Sequence, residues 1–89
     1  MNSAIPERNS ILDLITARFA GRDLLIERGY RRNASFRSMC EDYRDCVDAI
    51  DRLRKDGSAI AATRREEYTE LLDELLSEIR DWLETHNDG

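Results

Sequence analysis

The hydrophobic positions of this chain recur at the three- and four-residue spacing of amphipathic α-helices, and not at the two-residue spacing of strands. The most regular stripe lies in the last third of the chain and consists of Tyr68, Leu71, Leu72, Leu75, Leu76, Ile79, Trp82 and Leu83. A second stripe consists of Phe36, Met39, Cys40, Tyr43, Cys46, Val47, Ile50 and Leu53. Both patterns predict helices that bury one face and expose the other.

The first third of the chain is less regular, because its apolar residues fall on two neighbouring faces. The core stripe consists of Ile5, Leu12, Ile15, Phe19 and Ile26, with Ile11 at its margin. Leu14, Gly21 and Leu25 line up on the second face. A glycine in mid-helix costs about 1 kcal/mol relative to alanine. Gly21 therefore permits a kink, an early end of the helix, or the close approach of another backbone.

Capping residues predict where the helices begin and end. Gly29 and Gly57 each follow basic residues, a combination typical of a last turn and a left-handed cap. The predicted starts use Asn33 or Ser35, the capping box from Thr63 to Glu66, and Pro6 in a first turn. Together these signals predict three helices, at about residues 5–28, 35–55 and 63–86.

The expected fold is an all-α, small antiparallel three-helix bundle that occupies residues 1–89 as a single helical domain. A chain of 89 residues has a thin margin of stability, which a partner subunit would increase. Three short helices bury one stripe each, so the second apolar face of the first helix has no place inside a monomer. We therefore expect a homodimer with Leu14, Gly21 and Leu25 in its interface.

The composition predicts a cytoplasmic chain with no membrane partner. The longest apolar runs, at residues 24–26 and 59–62, are far shorter than the roughly 20 residues that span a bilayer. The first ten residues lack the basic start and apolar stretch of a secretory signal. Thirteen of the fourteen basic residues are arginine, a bias typical of GC-rich bacterial genomes. This bias weakens any argument that a single arginine was selected for its chemistry.

The segment MCEDYRDC, at residues 39–46, raises the question of a metal or redox site. Cys40 and Cys46 both lie on the apolar stripe and are about 9 Å apart along a helix axis, beyond the roughly 7 Å limit for a disulfide. A zinc site needs further ligands, and the only histidine is His86. We expect reduced, buried thiols, no metal or other cofactor, and a capping role for His86 at the end of the last helix.

The outer face of the last helix carries several acids that could suggest a di-iron site: Glu66, Glu70, Asp73, Glu74, Asp81 and Glu84. Di-iron carboxylates point into a bundle core and accompany Glu-x-x-His pairs, and this chain has no such pair. A solvated acidic face is the better interpretation.

One basic segment is the candidate site for an anion or a partner. Arg28, Arg31, Arg32 and Arg37 fall within ten residues and lead into a predicted helix N-terminus, where free N–H groups favour anions. Most of the basic charge lies in residues 1–44, with a net charge of +2, whereas residues 45–89 carry −7. The overall charge of −5 and the pI near 4.8 weigh against nucleic acid as the partner.

No motif in the sequence identifies a catalytic residue, and we expect no enzymatic activity. The predicted function is a small non-catalytic helical module for protein–protein interaction or assembly. The alternative is a module that binds nucleic acid or phosphate through the arginines of residues 28–37. An enzymatic or redox activity would depend on Cys40, Cys46 and Tyr43, and it is the weakest of the three interpretations.

Overall fold

The computed structural model describes residues 7–86, and their side chains from Ile11 onward. These residues form four α-helices: α1 (Glu7–Arg18), α2 (Asp23–Arg32), α3 (Ala34–Arg54) and α4 (Ala59–Thr85). The predicted all-α fold is confirmed, but the predicted number of three helices is wrong because the first predicted helix is divided in two. The predictions for Ile5 and Pro6 lie outside the described residues.

The division between α1 and α2 occurs at Gly21. Its φ angle is +84°, a left-handed backbone conformation that glycine adopts at no steric cost and other residues adopt with strain. The turn is closed by the N–H of Arg22, which donates a 3.3 Å hydrogen bond to the carbonyl of Phe19. Of the roles that the sequence left open for this glycine, the structure shows an early end of the helix.

Gly29 does not end a helix, contrary to the prediction from its basic neighbours. It is buried inside α2, which continues to Arg32. The chain changes direction one residue later, at Asn33, whose backbone is extended and whose side chain accepts a 2.9 Å hydrogen bond from the N–H of Phe36. Asn33 thus ends α2 and caps α3, as one of the two predicted capping residues.

The absence of a side chain at Gly29 permits close packing of two aromatic rings from other helices. A Cβ atom at this position would lie 2.6 Å from Cη2 of Trp82 and 2.9 Å from Cδ2 of Phe36. The Trp82 and Phe36 rings stack on each other with their centroids 4.1 Å apart. Gly29 is therefore a close-approach position that joins α2, α3 and α4.

The connection between α3 and α4 was predicted approximately, but its capping was not. α3 ends at Arg54, one residue before the predicted end, and no left-handed cap forms at Gly57, since Gly21 is the one glycine in residues 7–86 with positive φ. α4 begins at Ala59, where the Ser58 hydroxyl accepts a 3.1 Å hydrogen bond from Ala61. The predicted capping box is wrong, because the Thr63 hydroxyl donates to the carbonyl of Ala59 within α4.

The four helices share one hydrophobic core. α3 and α4 form a long antiparallel pair, and α1 and α2 pack on α3. The side chains with the least exposed surface are Phe36, Ile15, Ile26, Ile79, Leu83 and Cys40. The predicted stripes of the second and third helices are largely confirmed, because their central residues form this core. No helix within residues 7–86 combines the length and the apolar character needed to cross a membrane.

Candidate functional site

The outer side of α2 carries an exposed surface that we call the basic face, formed by Leu24, Glu27, Arg28, Arg31 and Arg32. The opposite side of α2 is buried through Ile26, Gly29 and Tyr30, so packing fixes the orientation of the helix. Leu24 is 78% exposed, the largest exposure among the large hydrophobic side chains of the described residues. An exposed leucine surrounded by arginines is a feature that the core does not explain.

The ion pairs of the basic face leave two of its arginines available. Nη2 of Arg31 lies 3.0 Å from Oε2 of Glu27, one helical turn away, and both side chains are largely exposed. Arg28 and Arg32 are exposed and make no ion pair with any of the residues 11–86 whose side chains are described. The exposed ion pair between Arg31 and Glu27 stabilises the helix only weakly, so Arg31 can exchange Glu27 for another acidic group. All three guanidinium groups can therefore meet an acidic partner.

Arg37 does not belong to the basic face, although the sequence grouped it with the other three arginines. It lies in the first turn of α3 and is half-buried. Its Nη1 donates hydrogen bonds to the carbonyl oxygens of Tyr30 at 2.8 Å and Arg31 at 3.4 Å. These carbonyls lie at the end of α2, where a helix lacks its own donors. Arg37 thus joins α2 to α3, and the candidate site is reduced to Arg28, Arg31 and Arg32.

The leucines proposed for a dimer interface have a different position from the one that the sequence suggested. Leu14 and Leu25 are partly buried and pack against the core of their own chain, whereas Gly21 is exposed in the turn. The premise that they have no place inside the monomer is wrong. Because the helix breaks at Gly21, α1 and α2 have separate orientations, and Leu14 and Leu25 each reach the core from their own helix. The dimer and its interface at these residues both stay predictions, but the reason given for placing the interface there no longer supports it.

A groove runs between α3 and α4 on the surface. α3 contributes Asp42, Asp45, Ala49 and Arg52, while α4 contributes Tyr68, Leu71 and Leu75. The groove is open to solvent and has a volume of about 450 Å³. Leu71, predicted as a core residue, is 42% exposed here. The groove therefore has an apolar floor, an acidic rim at Asp42 and Asp45, and one basic residue at its other end.

The outer side of α4 is strongly acidic, as the sequence predicted. Its exposed acids are Glu66, Glu67, Glu70, Asp73, Glu74, Glu78, Asp81 and Glu84. No group of three or more potential metal ligands is assembled among the residues that the structure describes. The charge asymmetry of the sequence thus becomes a spatial separation, with arginines on the outer side of α2 and carboxylates on the outer side of α4.

Both cysteines are buried in α3, in agreement with the prediction. They are free thiols, and Sγ of Cys46 donates a 3.0 Å hydrogen bond to the carbonyl oxygen of Tyr68 on α4. Burial, with a smaller contribution from the charge of Glu41, raises the pKa of the Cys40 thiol to about 12. Burial also raises the pKa of the Cys46 thiol. Both side chains are protonated at neutral pH and have little of the thiolate that nucleophilic chemistry requires.

Thiol labelling of the native protein is expected to be slow at both positions. Cys40 has no measurable exposure and Cys46 is 2% exposed, so a reagent reaches them only when the fold opens. A chromogenic disulfide reagent should react with the two thiols at once after unfolding in guanidinium, and slowly before it. Rapid stoichiometric labelling of the native protein would contradict the buried, protonated assignment.

His86 caps the C-terminus of α4, the role that the sequence suggested. Its backbone N–H donates to the carbonyl of Trp82 at 3.0 Å, and its Nδ1 lies 2.8 Å from the same oxygen. The imidazole also stacks on the Trp82 indole, with ring centroids 3.9 Å apart. The histidine thus extends the stack formed by Phe36 and Trp82, and its ring secures the last turn of α4.

Sequence reasoning missed Leu24 as a surface residue. It assigned Ile26 to the core stripe and Leu25 to the second face but left Leu24 unassigned, although Leu24 lies about 200° around a helix from Ile26. This angle was the available signal.

Comparison with known proteins gives no relative from which a function can be transferred. No protein-family model matches the chain, and neither the curated proteins nor the solved structures include a match.

Proposed function

We propose that this protein is a small non-catalytic helical module for protein–protein interaction or assembly, and that the basic face of α2 binds an acidic protein surface. The observation that carries the proposal is Leu24, 78% exposed on the same helical face as Arg28, Arg31 and Arg32. A leucine supplies apolar area at the centre of a contact, and surrounding arginines supply orientation and partner choice.

The buried thiols support a non-catalytic role. Cys40 and Cys46, on which an enzymatic or redox activity would depend, are enclosed by the core and have raised pKa values. Tyr43 is buried with them. These groups are placed for packing and not for contact with a substrate.

Binding of nucleic acid or phosphate is the second candidate function, and it rests on the three exposed arginines of α2. Two features favour a protein partner instead. Leu24 gains nothing from a phosphate backbone, whose contacts are made by charged and polar groups. Arg37 is hydrogen-bonded to the end of α2, and Asn33 already accepts the N–H of Phe36 at the start of α3, so the predicted combination of arginines with a free helix N-terminus is weakened.

Photo-crosslinking from position 24 distinguishes the two functions. We expect Leu24→benzoylphenylalanine, placed in the full chain and irradiated in cells that express it, to give discrete adducts that protease removes. Ser38 is exposed on α3 and is not one of the residues that form the basic face, and the same probe there serves as the control. Adducts removed by nuclease would support the nucleic-acid function. Equal, diffuse labelling from both positions would contradict an interaction site on α2.

A further inference from the structure

The structure places on one chain both an exposed leucine among arginines and an apolar groove with an acidic rim, and we infer that α2 of one copy docks in the α3–α4 groove of a second copy. This inference rests on the proposed function and names the partner of the basic face. The groove is thus occupied by a helix of the same protein, whose charges and residue spacing match those of the groove.

The spacing of the two surfaces agrees at three positions over about two helical turns. On α2 the outward positions are Leu24, Arg28 and Arg31, separated by four and three residues. On α3 the groove positions are Ala49, Asp45 and Asp42, separated by four and three residues in the opposite direction. Each set spans about 10 Å along its helix axis. An antiparallel alignment therefore matches all three positions at once.

This alignment pairs groups of complementary character. Arg31 lies opposite Asp42 and Arg28 lies opposite Asp45, while Leu24 lies opposite the small side chain of Ala49. Asp45 is largely exposed in the monomer, where it pairs with its neighbour Arg44. Pairs of opposite charge at a rim fix register and partner choice more than they add affinity.

The apolar part of the contact comes from Leu24 and the α4 side of the groove. Tyr68, Leu71 and Leu75 line that side, and Leu71 is 42% exposed in the monomer. A leucine inserted between two helices at three- and four-residue spacing packs as a knob into a hole. Among the side chains described, from residue 11 to 86, three large hydrophobic ones are largely exposed, and the docked helix covers two of them, Leu24 and Leu71.

The opposite orientation of α2 is disfavoured by Arg52. This residue lies at the end of the groove away from Asp42. In the antiparallel alignment Arg52 lies opposite Gly21, in the turn just before α2, and near Asp23, which carries a negative charge at the start of α2. In a parallel alignment over the same positions, Leu24 would lie opposite Asp42, and Arg31 would lie opposite Ala49, about one helical turn from Arg52. The parallel alignment thus separates Leu24 from the apolar end of the groove and brings two arginines near each other, so the charge pattern favours the antiparallel alignment.

The inference is tested first by sedimentation velocity and light scattering of the full chain over a range of concentrations. We expect wild-type protein to self-associate reversibly, and Leu24→Glu and Leu71→Lys each to weaken the association by at least about tenfold. Ile60→Glu should behave as wild type, because Ile60 is 72% exposed and lies outside both surfaces. Circular dichroism must show all variants folded.

Mixing the two variants provides a stricter test, since each variant retains one intact surface. The Leu71→Lys variant keeps an intact basic face on α2, and the Leu24→Glu variant keeps an intact groove. An equimolar mixture should therefore form a complex that neither variant forms alone.

The register is tested by charge reversal. Arg28→Asp alone and Asp45→Arg alone should each weaken the association, and a chain that carries both substitutions should associate like wild type.

Three results would overturn the inference: wild-type protein that is monomeric throughout, association that Leu24→Glu leaves unchanged, or a mixture that stays monomeric. A monomeric wild type that still gives a discrete crosslink from position 24 to another protein would overturn self-docking and leave the proposed function standing. A self-associating protein with no discrete crosslink from position 24 would instead place the interface elsewhere and contradict both.

Discussion

Ile79→Ala is expected to destabilise the protein by about 2 to 5 kcal/mol, the cost of removing a large aliphatic side chain from a packed core. Ile79 has no exposed surface, and it lies among the core residues contributed by all four helices. Leu75→Ala should have an effect in the same range, although Leu75 also borders the α3–α4 groove. A loss of this size is a large fraction of the total stability of a small domain.

Glu74→Ala is the matched control, because Glu74 is exposed on the same helix and has helix propensity close to that of alanine. It should change the free energy of unfolding by about 0.5 kcal/mol or less. Urea unfolding followed by circular dichroism measures all three variants. Similar urea midpoints for Ile79→Ala and Glu74→Ala would contradict the assignment of the Ile79 side of α4 to the core.

Gly29→Val is expected to destabilise the protein by about 1 to 3 kcal/mol through overpacking. A Cβ atom at position 29 already approaches Trp82 and Phe36 more closely than side-chain atoms tolerate, and valine adds two methyl groups. Phe36 is fully buried and cannot move aside without opening the core. The higher helix propensity of valine relative to glycine offsets only a small part of this loss.

Gly57→Val is the control for this substitution. Gly57 is exposed in the connection between α3 and α4, does not have a positive φ angle, and has open space around its Cβ position. The change there should be within about 0.5 kcal/mol. Trp82 is the only tryptophan, so its fluorescence reports whether Gly29→Val displaces the stacked rings. Equal stability of the two valine variants, with unchanged fluorescence, would refute the close-approach role of Gly29.

The two glycines of the first third show how a local signal can be correct in part. Gly21 was recognised as a possible break, and the structure uses it for the turn between α1 and α2. Gly29 has the basic neighbours of a helix end, yet α2 continues through it. The reason lies in α4, because Trp82 occupies the space beside Gly29, and no local pattern reveals a contact between residues 53 positions apart.

The candidate site was also predicted correctly only in part. Arg28, Arg31 and Arg32 do form one exposed surface, as their clustering suggested. Arg37 was grouped with them by sequence distance alone, and its hydrogen bonds to the end of α2 depend on the sharp turn at Asn33. The groove could not be foreseen, because Asp42 and Leu71 become neighbours only when α3 and α4 pair.

By itself, the sequence determined the helical class, the buried stripes of the two long helices, the burial of both cysteines, and the separation of basic and acidic segments. These properties follow from three- and four-residue periodicity and from charge, which are local in the chain. Tertiary structure decided which glycine ends a helix, that Leu71 stays exposed, and which side chains share a groove. Those outcomes depend on packing between distant segments, where the fit of side-chain volumes outweighs local preference.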